Sequence, residues 1–226
     1  MNIAIITAGG IGSRVGSKKP KQFIEVLEKP IIVYTLEIFQ KHKDIDKIVI
    51  ACLENFEDQM WEYVNHYDLT KVVEIVKGGK TGPESISNCL DRIKEKNIAQ
   101  NDDLIIVHAG TRPLVSEGLI SNGIKLCLEK GSAVPFINCP EVVVNKEDGS
   151  IIDRNIIARL QTPQIFKYFD IINMYKKAKI LNFENISTTA DLYINQGKKI
   201  ELYEGSDINF KITYKEDIEL FKRFIN

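Results

Sequence analysis

Several features that mark other classes of protein are missing from this chain of 226 residues. Its four cysteines are scattered without C-x-x-C spacing, which argues against a cysteine metal site and against a disulfide framework. No apolar run approaches the roughly eighteen residues of a membrane-spanning helix. The net charge of -1 excludes the strongly basic surface of a general nucleic-acid-binding protein. We therefore expect the chain to bind neither membranes nor nucleic acid.

The start of the chain is an apolar run without the charged region that opens a signal peptide. We therefore expect no signal peptide and a cytoplasmic protein. Hydrophobic residues make up 44% of the chain and charged residues 27%, so it can bury a sizeable core as one domain over residues 1–226.

Strand-like runs alternate with helical patterns along the chain, and no repeat or low-complexity linker interrupts them. This alternation predicts an α/β fold, a single-domain Rossmann-like doubly wound sheet that is mostly parallel. The predicted strands are Ile3–Thr7, Lys47–Cys52, Val72–Val76, Leu104–His108, Gly131–Ile137 and Ile200–Glu204. The predicted helices are Ile31–His42, Phe56–Tyr67, Pro83–Lys96, Ser116–Lys130, Tyr168–Leu181 and Lys215–Phe224. We expect Ser116 and Thr213 to cap two of them.

One segment, Asn138–Arg159, falls outside the alternation. It contains two short apolar runs, Glu141–Asn145 and Ser150–Asp153, around a Lys-Glu-Asp-Gly turn, which is typical of a β-hairpin. A hairpin that protrudes from an α/β body has exposed strand edges, and a second copy would cover them. The sequence therefore predicts a β-arm at about 138–159 that forms a homodimer.

The first predicted strand runs directly into a glycine-rich loop that also carries cations. Glycines allow backbone N–H groups to approach an anion closely, and such loops lie at the carboxyl end of a sheet, where open α/β folds bind ligands. A glycine-rich turn is also a common structural device. Arg14 and Lys21, seven residues apart, have no structural need there and suit a polyphosphate.

Two familiar phosphate loops do not match this one. The dinucleotide-binding pattern requires a third glycine one position before Gly16 and an acidic residue at the end of the next strand, where only Glu25 and Glu28 occur in a turn-like context. The P-loop pattern requires Gly-Lys followed by Ser or Thr, which is absent. A redox enzyme that uses a dinucleotide is therefore disfavoured, and binding of NAD analogues would decide the point.

Five motifs in this chain resemble those of a known superfamily. They are Ala8-Gly9-Gly10-x-Gly12-x-Arg14 with Pro20-Lys21-Gln22-Phe23; Lys77-Gly78-Gly79 with Ser85; Val107-His108-x-x-x-Arg112-Pro113; Asp153-Arg154 ahead of Gln161-Thr162-Pro163-Gln164-x-Phe166; and Asn209-Phe210-Lys211-Ile212-Thr213 with Glu216-Asp217. Their order and spacing over nearly the whole chain resemble the sugar-nucleotide pyrophosphorylases. Within that superfamily the chain is most similar to the cytidylyltransferases that act on methylerythritol phosphate and ribitol phosphate.

The resemblance implies a nucleotidyltransferase domain of the GT-A-like type and a cytidylyltransferase activity. Such an enzyme transfers CMP from CTP, with Mg²⁺, to a polyol phosphate and releases pyrophosphate. Ribitol 5-phosphate, as a precursor of cell-surface polysaccharide, is the first candidate acceptor. The methylerythritol phosphate enzyme of isoprenoid synthesis is the alternative. A catalytically impaired, nucleotide-binding dimer is the alternative from another class of protein.

The resemblance also assigns roles to residues of this chain. The implied catalytic residues are Arg14, Lys21 and Lys211. The implied nucleotide-binding residues are Ala8, Gly9, Gly10, Gly12, Gly78, Gly79 and Ser85. The implied acceptor-binding residues are Arg112, Arg154, Thr188 and Lys211. No protein side chain is assigned to the metal, and Arg154, in the arm, is expected to serve the site of the other subunit.

The acceptor half of the chain departs from the family pattern. Relatives carry an aspartate directly after the histidine, where this chain has Ala109, and an arginine after the Gly-Gly pair that is absent here. Asp191 stands three places beyond the expected aspartate of another motif, and whether it compensates stays open. We therefore expect an acceptor other than methylerythritol phosphate.

Three further residues are ambiguous from sequence alone. Arg159, five residues after Arg154, is a rival for the same role. His108 ends a buried strand, and we interpret it as a core histidine that is not catalytic. We place His42 on the surface, among charged residues.

Overall fold

The computed structural model of the protein describes residues 1–10, 12, 16, 19–180 and 186–226, so the prediction for Arg14 falls outside the described residues. Within these ranges the strands are β1 (Asn2–Ala8), β2 (Glu25–Val26), β3 (Lys29–Pro30), β4 (Lys47–Cys52), β5 (Val72–Lys77), β6 (Leu104–Ala109), β7 (Ser132–Asn138), β8 (Val143–Val144), β9 (Ile151–Ile152), β10 (Ala158–Leu160), β11 (Gln164–Lys167) and β12 (Leu202–Glu204). The α-helices are α1 (Ile31–Lys41), α2 (Glu57–His66), α3 (Gly82–Glu95), α4 (Glu117–Lys130), α5 (Tyr168–Ile180), α6 (Thr189–Asn195) and α7 (Lys215–Ile225).

The central sheet has the strand order β10-β7-β11-β6-β1-β4-β5, with β12 beside β7. β1 pairs in parallel with both β4 and β6, so Ile5 lies between Val49 and Val107. Continuous burial on both faces explains why β1 is an uninterrupted apolar run. The predicted α/β fold with a mostly parallel sheet is confirmed.

Helices cover both faces of this sheet. Successive residues of β1 point to opposite faces, and Ile6 lies in an apolar cluster with residues of α1, α2 and α4. Ile5 lies in a second cluster with residues of α3, α5 and α6. The two clusters are the two cores of a doubly wound fold, as predicted.

Three elements of the sheet and its flank were not predicted. β10 pairs antiparallel with β7 at the edge of the sheet. β11 pairs antiparallel with both β6 and β7 and is inserted between them. The short helix α6 begins after Thr188, whose hydroxyl accepts a hydrogen bond from the Asp191 N–H at 3.1 Å.

Two other predictions are wrong. Thr213 does not cap α7, because the helix begins at Lys215 and the Asp217 carboxylate accepts from the Thr213 and Tyr214 N–H groups. His42 is buried, and its Nε2 lies 3.1 Å from the Ser121 hydroxyl. The charged neighbours of His42 in the sequence are typical of an exposed position. The side chain is instead buried and links the end of α1 to α4. In contrast, Ser116 caps α4 as predicted, by accepting from the Leu119 N–H.

The four cysteines are free thiols. Cys52, Cys89 and Cys127 are buried, and Cys139 is half-buried at the base of the arm. Burial raises the pKa of the Cys127 thiol to about 12, which keeps it protonated at neutral pH.

The predicted hairpin is present. β8 and β9 pair antiparallel, with Val143 opposite Ile152. Apolar side chains of the arm face solvent, and Ile151 and Ile156 are 77% and 79% exposed. Pairing of the arm with a second copy stays a prediction.

None of the helices in the described part of the chain is long and apolar enough to cross a membrane.

Candidate active site

A cleft of about 330 Å³ opens beyond the carboxyl ends of β1, β5 and β6. Open α/β sheets bind their ligands at this edge. The described residues that line the cleft are Thr7, Ala8, Gly9, Gly10, Gly12, Lys21, Gln22, Gly79, Lys80, Thr81, Gly82, Ser85, Ala109, Thr111, Lys211 and Thr213. The fold therefore brings together both described residues predicted to be catalytic and nearly all of those predicted to bind the nucleotide.

One wall of the cleft is built from backbone and small side chains. The Ser85 hydroxyl accepts from the Gly79 N–H at 3.0 Å and donates to the Thr81 carbonyl at 2.8 Å, which fixes the turn between β5 and α3. Gly78 lies directly behind Gly9, because a Cβ atom on Gly78 would be 3.3 Å from the Gly9 Cα. A wall of this kind presents main-chain donors and acceptors to a flat ligand.

Lys21 also lines the cleft, on a single turn of 3-10 helix, Lys21–Phe23, and packing fixes this turn in place. The Phe23 ring is fully buried and stacks on Phe56 with centroids 4.8 Å apart. The Gln22 side-chain amide donates to the carbonyl of Ala8 at 2.7 Å, and so joins the turn to the end of β1. The cation therefore stands on a rigid element.

Lys21 is 9% exposed, and its ammonium donates to the carbonyl of Ile212 at 2.9 Å. The N–H of Ile212 in turn donates to the carbonyl of Thr111 at 2.9 Å. Lys211 and Thr213, on either side of Ile212, both line the cleft. These hydrogen bonds join the first loop, the end of β6 and the segment before α7 into one unit.

The charge of the cleft is positive. Its described lining includes the ammonium groups of Lys21, Lys80 and Lys211 and contains no aspartate or glutamate. An anionic ligand therefore finds favourable charge throughout, whereas a resident Mg²⁺ ion lacks the carboxylate oxygens that it prefers. No group of three or more histidine, cysteine or acidic residues suited to a metal occurs among the described residues.

A buried polar network supports the cleft from behind. His108 is fully buried, and its Nε2 lies 3.2 Å from the carbonyl of Arg112. A carbonyl only accepts, so Nε2 carries the hydrogen and Nδ1 accepts from the Thr162 hydroxyl at 3.1 Å. Asn209 donates to the Thr162 carbonyl at 2.8 Å, and so ties the segment that carries Lys211 to the network. His108 is thus a hydrogen-bonded core histidine, as predicted.

Three of the predicted acceptor-binding residues do not line the cleft within this chain. The Arg112 guanidinium donates to the carbonyl of Asn209, and burial lowers its pKa to about 10. Arg154 is exposed on the arm and donates to the Pro140 carbonyl at 2.7 Å. Thr188 caps α6. Their contact with an acceptor stays a prediction.

Asp191 and Arg159, whose roles were left open by the sequence, both have polar partners within the chain. The Asp191 carboxylate accepts from the N–H groups of Ser187 and Thr188 at 2.9 and 3.1 Å, so it serves the capping box of α6. Arg159, in β10, lies 3.8 Å from the Asp207 carboxylate.

Several residues of the cleft lining were not predicted to belong to the site. These are Thr7, Gln22, Lys80, Thr81, Gly82, Ala109, Thr111 and Thr213. Gln22 and Lys80 lie inside or next to motifs that were recognised, so their positions were available as a signal. Thr111 and Thr213 also lie within recognised motifs, whereas nothing in the sequence separates Thr7 and Thr81 from threonines elsewhere.

His108 should make the stability of the protein depend on pH. Burial lowers the pKa of His108 from 6.5 to about 3. Below pH 6.5 this histidine is therefore protonated in the unfolded chain but stays neutral in the folded chain. The stabilising contribution of neutral His108 is complete above pH 6.5 and is lost as the pH falls toward 3. From pH 7 to pH 5 the wild-type protein should lose about 2 kcal/mol more free energy of unfolding than His108→Gln.

Urea denaturation at both pH values measures this difference. His66→Gln is the control, because His66 is exposed on α2 and the same change there should leave the pH dependence of the wild type. Equal losses for wild type and His108→Gln would contradict the prediction.

Comparison with known proteins agrees with the geometry of the cleft. A profile of the family described as IspD, 2-C-methyl-D-erythritol 4-phosphate cytidylyltransferase, matches residues 2–226. The chain is 37% identical over 231 residues to a ribitol-5-phosphate cytidylyltransferase of Lacticaseibacillus paracasei, covering 100% of this chain and 98% of the relative. It is 36% identical over 228 residues to a 2-C-methyl-D-erythritol 4-phosphate cytidylyltransferase of Clostridium tetani, covering 99% and 90%.

A solved structure shares the whole fold. The 4-diphosphocytidyl-2C-methyl-D-erythritol synthase of Anaerococcus prevotii superposes with a TM-score of 0.83 at 25% identity, covering 100% of this chain and 96% of the other. Since profile and relatives match along essentially its full length, the chain belongs to the 2-C-methyl-D-erythritol 4-phosphate cytidylyltransferase family.

Proposed function

We propose that this protein transfers CMP from CTP to a phosphorylated polyol, with ribitol 5-phosphate as the first candidate acceptor. The observation that carries the proposal is the cleft at the carboxyl edge of the sheet, whose described lining combines three lysines with glycines and contains no carboxylate. Relatives named ribitol-5-phosphate cytidylyltransferase, 37% identical over the full chain, support the choice of reaction and acceptor.

The reaction joins two anions, and positive charge is its main requirement. An oxygen of the acceptor phosphate attacks the α-phosphorus of CTP, the bond from that phosphorus to the β-phosphate oxygen breaks, and pyrophosphate leaves with the electron pair. The acceptor phosphate is largely dianionic near pH 7, so a general base is not required. Lys21 and Lys211 would stabilise the charge that develops on the transferring phosphoryl group.

Mg²⁺ belongs to this proposal as a partner of the triphosphate. The described cleft offers it no carboxylate, so its ligands would come from the nucleotide. When bound, it supplies charge neutralisation to the phosphate oxygens.

The glycine-lined wall supports CTP as the nucleotide. Main-chain groups next to Gly9 and Gly79, which line the cleft, would read the edge of a pyrimidine, and a purine would need a larger cavity. The acceptor is less constrained by this wall, since its contacts must come from side chains further along the cleft.

A second acceptor has specific support. The matching family profile and the relative from Clostridium tetani, at 36% identity, are both named for 2-C-methyl-D-erythritol 4-phosphate as the acceptor. Against it stands Ala109 at the end of β6, where the resembled enzymes carry an aspartate. We therefore rank methylerythritol phosphate below ribitol 5-phosphate.

Pyrophosphate release measured with a matrix of nucleotides and acceptors tests the proposal. CTP should be used far better than ATP or GTP, and ribitol 5-phosphate should give a higher kcat/KM than methylerythritol phosphate or the glycerol phosphates. Nucleotide binding without turnover on any acceptor would instead support a catalytically impaired binding protein. Turnover only with methylerythritol phosphate would overturn the choice of acceptor.

Removal of the Lys21 ammonium should abolish most of the activity. Lys21→Ala is expected to lower kcat by a hundredfold or more, because loss of a preorganised charge from a transition state costs about 3–4 kcal/mol. Lys19→Ala is the matched control, since the Lys19 ammonium pairs with the Glu25 carboxylate at 3.2 Å and lies outside the cleft lining. Circular dichroism verifies that both variants fold. Near-normal turnover of Lys21→Ala would remove this lysine from the mechanism.

The arm belongs to the proposal as the dimer contact that delivers Arg154 to the other subunit. Its exposed apolar side chains, Val142, Val144, Ile151 and Ile156, have the character of an interface. Arg154 is exposed beside them and is absent from the cleft lining of its own chain. A guanidinium from the partner would supply a charge-assisted contact to the acceptor phosphate.

Mixed dimers of Arg154→Ala and Lys21→Ala subunits test delivery across the interface. If Arg154 serves the partner, both lesions fall in one site of a mixed dimer and the other site is intact. An equimolar mixture after subunit exchange should then recover about a quarter of wild-type activity, because half of the dimers are mixed and each has one good site. No recovery after verified exchange would mean that Arg154 does not act in the other subunit's site.

A further inference from the structure

The segment between His108 and Arg112 forms the part of the cleft in which this chain departs from the family pattern. Ala109 contributes only a methyl group to the lining. Gly110 has no room for a side chain, because a Cβ atom there would lie 2.4 Å from Ile32 Cδ1 and 3.2 Å from the Thr7 carbonyl oxygen. Any polar side-chain contact from this segment must therefore come from Thr111.

Five residues with hydroxyl groups line the described cleft, and four of the hydroxyls already have partners in the protein. Thr7 donates to the His108 carbonyl and Thr213 to the Lys211 carbonyl. Thr81 accepts from the Glu84 N–H, and Ser85 bonds within the turn before α3. Thr111 is different, because its hydroxyl forms no hydrogen bond with any described residue. This side chain is only 5% exposed, and the surface that it shows faces the cleft.

The backbone of Thr111 is held on both sides. The N–H of Gly110 donates to the Thr7 carbonyl at 3.0 Å, and the N–H of Arg112 donates to the Ala109 carbonyl at 3.0 Å. The Thr111 carbonyl itself accepts from Ile212, whose carbonyl accepts from the Lys21 ammonium. The backbone of Thr111 is therefore fixed in place, and one hydrogen-bonded residue, Ile212, separates it from the Lys21 ammonium that would hold the transferring phosphate.

We propose that Thr111 is a specificity-determining residue that hydrogen-bonds the polyol acceptor; this inference rests on the proposed cytidylyltransferase function. The Thr111 hydroxyl is not among the buried polar atoms without a partner, so it is open to the cleft and its donor and acceptor are available to a ligand. The base is expected at the glycines and the transferring phosphate at the lysines, where the acceptor must approach it, so we expect the polyol of the acceptor beside Thr111. A hydroxyl both donates and accepts, which suits the hydroxyl groups of a polyol better than a carboxylate does.

The test measures pyrophosphate release with CTP and ribitol 5-phosphate for wild type, Thr111→Val and Thr111→Ser. Valine keeps the shape of threonine without the hydroxyl, and should raise the KM for ribitol 5-phosphate about three- to tenfold. The KM for CTP and kcat should stay within about twofold of wild type, because the contact is made to the acceptor alone. Serine retains the hydroxyl and should restore the acceptor KM.

Thr35→Val is the matched control. Thr35 is fully buried and donates to the carbonyl of Gly110 at 3.0 Å, so its replacement disturbs the same segment without removing a group from the cleft. Its acceptor KM should stay near wild type even where thermal stability falls. An equal rise in acceptor KM for Thr35→Val would show that the effect is structural, and would overturn the proposal.

Other outcomes also decide the question. A fall in kcat or a rise in the KM for CTP with an unchanged acceptor KM would overturn the proposal by assigning Thr111 to the nucleotide. Failure of Thr111→Ser to restore the acceptor KM would overturn it too. Absence of turnover by the wild type with every acceptor contradicts the proposed function itself, and is thereby distinguished from failure of this inference.

Discussion

The cleft depends on one hydrogen bond, from the ammonium of Lys21 to the carbonyl of Ile212. A nearly buried cation requires polar partners, since its transfer from water is costly without them. The carbonyl satisfies part of that requirement and at the same time fixes where the charge points. Because Ile212 is also bonded to Thr111, the same contact draws the segment with Lys211 onto the end of β6. The same hydrogen bond thus fixes the position of the Lys21 charge and holds together the segments that line the cleft.

The proposed function divides the cleft into a nucleotide side and an acceptor side, and this division would explain how relatives with one fold come to carry the names of two different acceptors. The nucleotide side consists of backbone and glycine, and few substitutions there are compatible with the close approach of Gly78 to Gly9. The acceptor side consists of side chains, which change without disturbing the sheet. Ala109 and Thr111 lie on that side, at the end of a strand whose buried positions are fixed by packing.

Much of the fold was predictable because its elements have strong periodic patterns. β1, β4 and β6 are apolar runs buried on both faces, and α3 and α4 begin after good caps. β11 was missed because its four residues, Gln164–Lys167, show no alternation and gain their strand character from two antiparallel neighbours. α6, with seven residues, is too short for a helical period to be recognised. The false cap at Thr213 shows that a favourable residue near a helix start does not locate the first turn.

The site was predictable where a motif carried it, and not where three-dimensional proximity did. Lys21, Lys211 and the glycines follow from the motifs. The buried position of His42, the engagement of Asp191 in a helix cap and the unpartnered hydroxyl of Thr111 all depend on contacts between distant segments. A sequence pattern records local preference, and these features arise from long-range packing.

The span of the Lys21–Ile212 contact has a consequence for biosynthesis. The two residues are 191 positions apart, so the first loop leaves the ribosome long before its partner exists. Such nonlocal contacts form late, after the loop between them has been ordered. A nascent or truncated chain that ends before Ile212 lacks both this carbonyl and the adjacent cleft wall. The complete cleft therefore exists only in chains whose synthesis and folding have reached the segment before α7.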